Sequence, residues 1–172
     1  MFTTNSYVVW VILIILIGIV FVAKEWIGNA KEEGKLPYKK KQSLMTEAER
    51  NLFGVLTSTF QDSYLVFPQV NLDKFIYIEG GSEKYQSFYH RINQYSVDFL
   101  FCSKQSTAPV LAIELDDSSH AFPRRRERDE KVERFCADAG IPLLRIKNQR
   151  SYTPADIKSQ VDAVLTGRES RF

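Results

Sequence analysis

The hydrophobic and polar positions divide the chain into an apolar N-terminal run, a lysine-rich stretch and a longer alternating remainder. Residues Tyr7–Ala23 carry no charge and are rich in Val, Ile and Leu. A helix over this run would span roughly 25 Å, close to the thickness of a bilayer's hydrocarbon core. The competing interpretation is a cleaved signal peptide, but residues 1–6 carry no side-chain charge and Ala23-Lys24-Glu25 is a poor cleavage site. The pattern favours a retained transmembrane helix over residues 7–23.

The stretch after this run, residues 24–42, is polar and basic. Gly34 and Pro37 interrupt it, so it is predicted to be a tether. Its lysines are Lys24, Lys31, Lys35, Lys39, Lys40 and Lys41. The positive-inside rule then places the short N-terminus, residues 1–6, outside and the rest of the chain in the cytoplasm. The lysines are also suited to anionic lipid headgroups.

From residue 43 onward the pattern predicts one folded domain, residues 43–166, with a frayed tail at 167–172. Helical spacing predicts helices over Glu47–Phe60, from Phe122–Arg128 to about Ala139, and from Thr153-Pro154 to about Leu165. Apolar runs predict strands at Tyr64–Val70, Lys74–Ile78, Val97–Cys102, Val110–Leu115 and Pro142–Ile146. Tyr85–Tyr95 is aromatic and polar, and its pattern predicts neither element.

Local signals fix several ends of these elements. Thr46 and Glu49 match a capping box, Pro68 indicates an edge strand, and Gly140 is placed to end a helix. The two central strands form a hairpin, and the helix after them leads to a further strand in a β-α-β crossover. The predicted fold class is therefore α/β, with a mixed sheet covered on both faces.

Composition adds little to this picture. The net charge is +2 and 44% of residues are hydrophobic, as in ordinary globular proteins. Charge therefore neither requires nor excludes a nucleic-acid partner. Cys102 and Cys136 lack metal-ligand spacing and lie among apolar residues, so both are predicted to be buried core residues without a disulfide.

Acidic residues gather at the end of one predicted strand, in the run Val110–His120 (VLAIELDDSSH). Glu114 and Asp116 are two positions apart and face the same side if the strand continues. Asp98 lies among apolar neighbours in the preceding strand, where a charge is costly unless it is paired or coordinated. Two carboxylates on one side of a strand repel each other. A hard divalent cation such as magnesium, bound between them, would relieve this repulsion. An ordinary strand followed by an acidic turn remains the alternative.

An Asp in one strand, Glu-x-Asp in the next, then a helix and a strand resemble the PD-(D/E)XK nuclease superfamily. Within it, the chain resembles the bacterial family DUF2726 and the wider group of very-short-patch-repair-like endonucleases. The resemblance covers roughly Leu44 to Asn148. The matching pieces are Thr46–Glu49, Phe67–Val70, Val97–Phe99, Ile113–His120, Arg125–Asp129 and Ala139–Ile146. It implies a restriction-endonuclease-like α/β/α core.

The resemblance also implies roles for single residues. Asp98 and Glu114 match the metal-binding acids for Mg²⁺ or Mn²⁺. Asp116 occupies the position of the usual Lys, whose charge-stabilising role it cannot take, and is expected to bind metal or position water. His120 is the candidate general acid or base, with a structural hydrogen bond as the alternative. Glu47 matches an acid that some members of the superfamily carry on the first helix. The alternative is an ordinary first-turn carboxylate that the helix dipole stabilises.

Four arginines follow the acids: Arg124, Arg125, Arg126 and Arg128. They are suited to hold phosphates of DNA or RNA, although a solvated helix start is the alternative. Many nucleases of this fold cut duplexes as dimers, so a homodimer is one option for the oligomeric state.

The leading hypothesis is a metal-dependent nuclease anchored by one helix in the inner (cytoplasmic) membrane, with its C-terminal domain in the cytoplasm. Because the usual Lys is absent, the alternative is a catalytically degenerate nuclease fold that binds nucleic acid or protein at the membrane. A small membrane-anchored regulatory or scaffold protein is a third hypothesis, which only the anchor supports.

Overall fold

A computed structural model of the chain describes residues 4–29, 36–80, 84–116 and 123–169. The chain divides into two compact units, Met1–Lys41 and Gln42–Phe172. Each unit has its own organisation, and the candidate site lies in the second.

The first unit contains helix α1, Thr4–Asn29. Within it, the 19 residues Tyr7–Glu25 have a mean hydropathy of 2.7, and none of this span is buried. By length and composition this helix is able to cross a membrane, a test that a signal sequence near the N-terminus would also pass.

The second unit is a mixed α/β domain. Its helices in the described ranges are α2 (Glu47–Phe60), α3 (Tyr85–Ile92), α4 (Pro123–Asp138) and α5 (Pro154–Glu169), with a 3₁₀ turn at Leu72–Lys74. Its strands are β1 (Tyr64–Asn71), β2 (Ser96–Ser103), β3 (Pro109–Asp116) and β4 (Leu143–Lys147). They form one sheet in the order β1-β2-β3-β4. β1–β2 and β2–β3 pair antiparallel, and β3–β4 pair parallel. The predicted hairpin and β-α-β crossover are confirmed.

The sheet is packed on both faces. On one face, α2 and α5 contribute Leu52, Leu56, Phe60, Ile157 and Val161 to a cluster with alternate residues of β2, β3 and β4. On the other face, Val132 and Cys136 of α4 join a second cluster that includes Leu100, Cys102 and Ala112 of the sheet. Both cysteines are free and buried, as predicted. The alternation along each strand therefore separates two apolar layers.

Three local signals are confirmed by the geometry. The Thr46 N–H donates to Glu49 Oε2 at 2.6 Å, and the Glu49 N–H donates to Thr46 Oγ1 at 3.3 Å, which completes the capping box at the start of α2. Pro68 lies on β1, at an edge of the sheet. Gly140 ends α4 with φ +68°, a backbone conformation that favours glycine.

The strand predicted at Lys74–Ile78 is wrong. After β1 the chain turns through the 3₁₀ segment, where the Ile76 N–H donates to the Leu72 carbonyl at 2.8 Å. Phe75, Ile76 and Ile78 still pack against the second apolar cluster. Their apolar pattern thus reflects burial without strand pairing. The segment for which the sequence predicted no element contains α3, whose N-cap residue Lys84 makes no side-chain capping hydrogen bond.

We predict opposite effects for the same substitution at two glycines. The methyl group of Gly140→Ala would meet open space, but alanine would have to adopt a left-handed backbone conformation. The substitution should therefore lower the free energy of unfolding by roughly 1–2 kcal/mol. Gly54→Ala lies in the interior of α2, also with open space, and should stabilise by up to about 1 kcal/mol. Thermal unfolding followed by circular dichroism measures both. Equal shifts of Tm in one direction would contradict the assigned backbone conformations.

Candidate active site

Strand directions bring the acidic residues to one end of the sheet. β3 ends where the antiparallel β2 begins, and the parallel β4 ends at the same side. Continuing the pairing Phe99↔Ile113 by one residue sets Asp98 opposite Glu114. A cavity of about 230 Å³ opens there. Its lining residues are Thr46, Ala48, Glu49, Asp98, Glu114, Leu115, Asp116, Arg128, Asp129 and Asn148.

Glu114 is the buried acid of this cavity. Its residue exposure is 6%, and its Oε1 has no hydrogen-bond partner among the described residues. Burial, and then the charge of Asp98, raise the pKa of Glu114 to about 8, while Arg128 and Arg145 act in the opposite direction. The ionised form of Glu114 is therefore disfavoured, and a nearby cation would stabilise it.

Asp98 shares this environment. Its Oδ2 accepts a hydrogen bond from the Leu115 N–H at 2.8 Å, which ties the start of β2 to the end of β3. Burial raises the pKa of Asp98, and the charge of Glu49 adds to this effect. The Leu115 hydrogen bond and the charge of Arg128 lower the pKa but do not cancel the increase. The two central acids therefore lie side by side and both resist ionisation.

Asp116 is paired with a cationic side chain from another strand. Arg145 Nη1 lies 3.0 Å from Asp116 Oδ1, and Arg145 Nη2 donates to the Asp129 carbonyl at 3.1 Å. The parallel register sets Arg145 directly beside Glu114. The sequence pattern did not single out Arg145 as a site residue. The available signal was the position of this arginine between two buried apolar residues, Leu144 and Ile146. This alternation sets its side chain on the other face of β4.

The four predicted arginines are not equivalent. Arg128 lines the cavity, and its Nη2 donates to the Ser96 carbonyl at 3.2 Å. Arg126 pairs with Glu130 at 3.0 Å and does not line the cavity. Arg124 and Arg125 belong to α4, but their side chains lie outside the described residues, as does His120. The roles predicted for these last three residues stay predictions.

Glu49, rather than the predicted Glu47, brings an acid of the first helix to the cavity. Glu47 lines a separate shallow groove with Asn51 and Arg150. Glu49 Oε1 accepts a hydrogen bond from Gln69 Nε2 at 3.1 Å. Both acids lie in the first turn of α2, so only the rotation of the helix against the sheet decides which one faces the cavity. The capping box singled out Glu49 as a helix cap, but it gave no sign that this side chain lies at the cavity.

Comparison with protein-family models gives one decisive result. Residues 41–164 match the model described as Protein of unknown function (DUF2726). The chain belongs to the DUF2726 family. The matched region contains every residue that lines the acidic cavity, so the cavity is a feature of the DUF2726 domain. No curated protein and no solved structure matches the chain.

The DUF2726 cavity has few potential metal ligands in place. Within the described ranges, no group of three or more His, Cys, Asp or Glu side chains is arranged to hold a metal ion. Asp98 and Glu114 remain as a pair of carboxylates, with Asp116 and Glu49 engaged by Arg145 and Gln69. Such a pair suits only a cation that keeps several of its waters or takes ligands from a substrate.

We predict that Glu114 makes the stability of the cation-free protein pH-dependent. Its pKa rises from 4.5 to about 8 on folding, so the folded state retains a proton that the unfolded state releases. This stabilisation is complete below the unfolded pKa and is lost as pH rises through the folded pKa. In EDTA, the Tm of wild type should therefore fall, relative to that of Glu114→Gln, between about pH 5 and about pH 9.

The matched control for this experiment is Glu133→Gln, which removes an exposed acid of α4. Its Tm should follow that of wild type across the same pH range. Parallel curves for wild type and Glu114→Gln would contradict the proposed burial of an ionisable Glu114.

Proposed function

We propose that this DUF2726 protein is a membrane-anchored, metal-dependent nuclease that hydrolyses nucleic-acid phosphodiester bonds with a restriction-endonuclease-like domain. The observation that carries the proposal is the juxtaposition of Asp98 and Glu114 in one cavity, where Glu114 is buried and its Oε1 has no hydrogen-bond partner in the part of the chain that the structure describes. Burial raises the pKa of both carboxylates, and the charge of Asp98 raises that of Glu114 further, so the pair forms an incomplete site. The missing component is a positive charge.

The residues present fit a hard divalent cation. Glu114 Oε1 is an unused oxygen donor, Asp98 supplies a second carboxylate, and the Ile113 or Leu115 carbonyl is a candidate third ligand. Magnesium characteristically uses one or two carboxylates together with waters and substrate phosphates. When bound, such an ion polarises a phosphate and lowers the pKa of a water molecule.

The remaining groups of the cavity suit a phosphodiester substrate. Arg128 lines the same space as the two acids, and the N–H groups that do not bond to Ser96 can donate to a phosphate oxygen. Arg145 fixes Asp116 beside the site and adds positive charge without lining the cavity. His120 remains the proposed general acid or base, since an imidazole titrates near neutral pH.

The architecture is compatible with the proposed nuclease fold. A hairpin delivers one acid from each strand, a helix follows, and a parallel strand returns beside the second acid. Helices cover both faces of the mixed sheet. Fold alone does not establish activity, so the proposal depends on the cavity.

Cleavage assays test the proposal directly. Full-length protein in detergent micelles should cut labelled single- or double-stranded DNA or RNA with Mg²⁺ or Mn²⁺, and should not cut in EDTA. Glu114→Gln and Asp98→Asn should each reduce the rate by more than about 100-fold, because each removes a direct ligand rather than a supporting one. Glu133→Gln should retain the wild-type rate. Absence of cleavage of all four substrates by folded protein would refute the nuclease proposal.

One observation favours a second function. Asp116 stands where the superfamily carries a Lys, and it is ion-paired to Arg145. A degenerate fold that only binds nucleic acid or a protein partner would tolerate this exchange. It would bind nucleic acid equally well in EDTA and in Mg²⁺, without cutting, and Glu114→Gln would bind at least as tightly as wild type.

We also propose that α1 is a retained single-pass anchor in the inner membrane, with the N-terminus outside. The protein with both termini tagged should keep its N-terminal tag, stay in the membrane pellet after an alkaline wash, and require detergent for release. A chain that lacks residues 1–41 should be soluble. Loss of the N-terminal tag from the mature protein would identify α1 as a signal peptide and contradict the anchor.

A further inference from the structure

Gln69 adopts an unusual backbone conformation beside the acidic cavity. It lies within β1 but has φ +53°, in the left-handed region that L-residues other than Asn and Asp rarely occupy. Its neighbours Pro68 and Val70 pair with Phe99 and Val97, so the register sets Gln69 opposite Asp98. Such conformations persist only where the surrounding structure enforces them, and they cluster at functional sites.

In this conformation the Gln69 amide contacts Glu49, and the strand register sets Gln69 opposite Asp98. Its Nε2 donates to Glu49 Oε1 at 3.1 Å, while Glu49 Oε2 accepts from the Thr46 N–H at 2.6 Å. The Gln69 amide also lowers the pKa of Asp98, against the larger effect of burial. It is thus bonded to α2 and lies next to the acid of β2.

The chemistry of an amide matters at this position. It donates hydrogen bonds to carboxylates but carries no charge, so it orients Asp98 without neutralising it. A Lys or Arg in the same place would pair with Asp98 and compete with any bound cation. An amide at this position therefore leaves the negative charge of the cavity intact.

We propose that Gln69 is a positioning residue for the candidate cation site: its amide bridges Glu49 and Asp98 and holds Asp98 in the orientation that a divalent cation requires. The inference depends on the proposed function in one respect, that the ligand of Asp98 and Glu114 is a divalent cation. Residues that orient metal ligands commonly change metal affinity by about 10–100-fold when they are removed.

A simpler explanation assigns only the backbone a role. β1 is an edge strand, and an irregularity at Pro68 and Gln69 would discourage pairing with another chain. That role needs the left-handed conformation but not the amide, so glycine would fulfil it. The two explanations therefore predict different results for Gln69→Gly.

The experiment compares Gln69→Gly and Gln69→Ala with wild type as full-length protein in detergent micelles. Both variants remove the amide, but only glycine relieves the backbone. We expect both to weaken Mn²⁺ binding by about 10–100-fold in titration calorimetry. In EDTA, Gln69→Gly should melt several degrees above Gln69→Ala, since it alone accepts the left-handed conformation without cost.

Thr107→Gly is the matched control. Thr107 has φ +56° in the β2–β3 connection, and it does not line the acidic cavity. This variant relieves a comparable backbone conformation and should leave Mn²⁺ affinity unchanged. Its use separates an effect of the amide from a general effect of relaxing a left-handed residue.

The outcomes separate the two proposals. If wild type binds Mn²⁺ and both Gln69 variants bind it equally well, the positioning role is overturned while the cation site stands. If wild type and Glu114→Gln alike bind no Mn²⁺, both the cation site and the role of Gln69 are overturned. A Gln69→Gly protein that no longer unfolds cooperatively would make Gln69 a residue that the fold requires, and would likewise overturn the positioning role.

Discussion

The burial of one carboxylate beside another is the constraint on which the site depends. Glu114 is nearly inaccessible and faces Asp98 across two paired strands. Arg128 of α4 and Arg145 of β4 weaken this repulsion. Among the described residues, neither arginine forms a salt bridge with Asp98 or Glu114. Arg145 is instead engaged by Asp116 and Asp129. The two arginines therefore reduce the electrostatic penalty of the buried acids without pairing directly with either of them.

The mixed sheet brings these charges to one end of the domain. The antiparallel hairpin supplies the two acids, and the parallel strand β4 sets Arg145 beside Glu114. The crossover helix α4 returns the chain to that position and brings Arg128 to the cavity on the way. Architecture and electrostatics are thus coupled at the carboxyl end of β3.

Much of the fold could be predicted because its signals are local. A capping box, an edge proline and a terminal glycine each act within a few residues, and Thr46, Pro68 and Gly140 behave as predicted. The prediction failed at two places. The apolar residues of Lys74–Ile78 pack against the core without pairing to a strand, and the short helix α3 has no side-chain cap that would reveal its start. Apolar spacing predicts burial, but pairing depends on distant residues.

The site was predictable only in part for the same reason. Asp98 and Glu114 were identified because an acid in an apolar strand is conspicuous in sequence, and the structure brings them together. The choice between Glu47 and Glu49 depends on helix rotation, and the role of Arg145 depends on inter-strand register. The left-handed conformation of Gln69 has no signal in a Gln. These features emerge only when the elements have packed.

The separation of acids and cations along the chain has a consequence for assembly. The hairpin of β2 and β3 joins neighbouring segments, whereas Arg145 follows Asp116 by 29 residues. Local contacts form before distant ones, because closing a long loop costs more entropy. Adding β4 to the hairpin therefore closes a long loop, and it sets the charge of Arg145 next to the buried acid of β3. Residues that are far apart in the sequence thus depend on each other for their electrostatic environment.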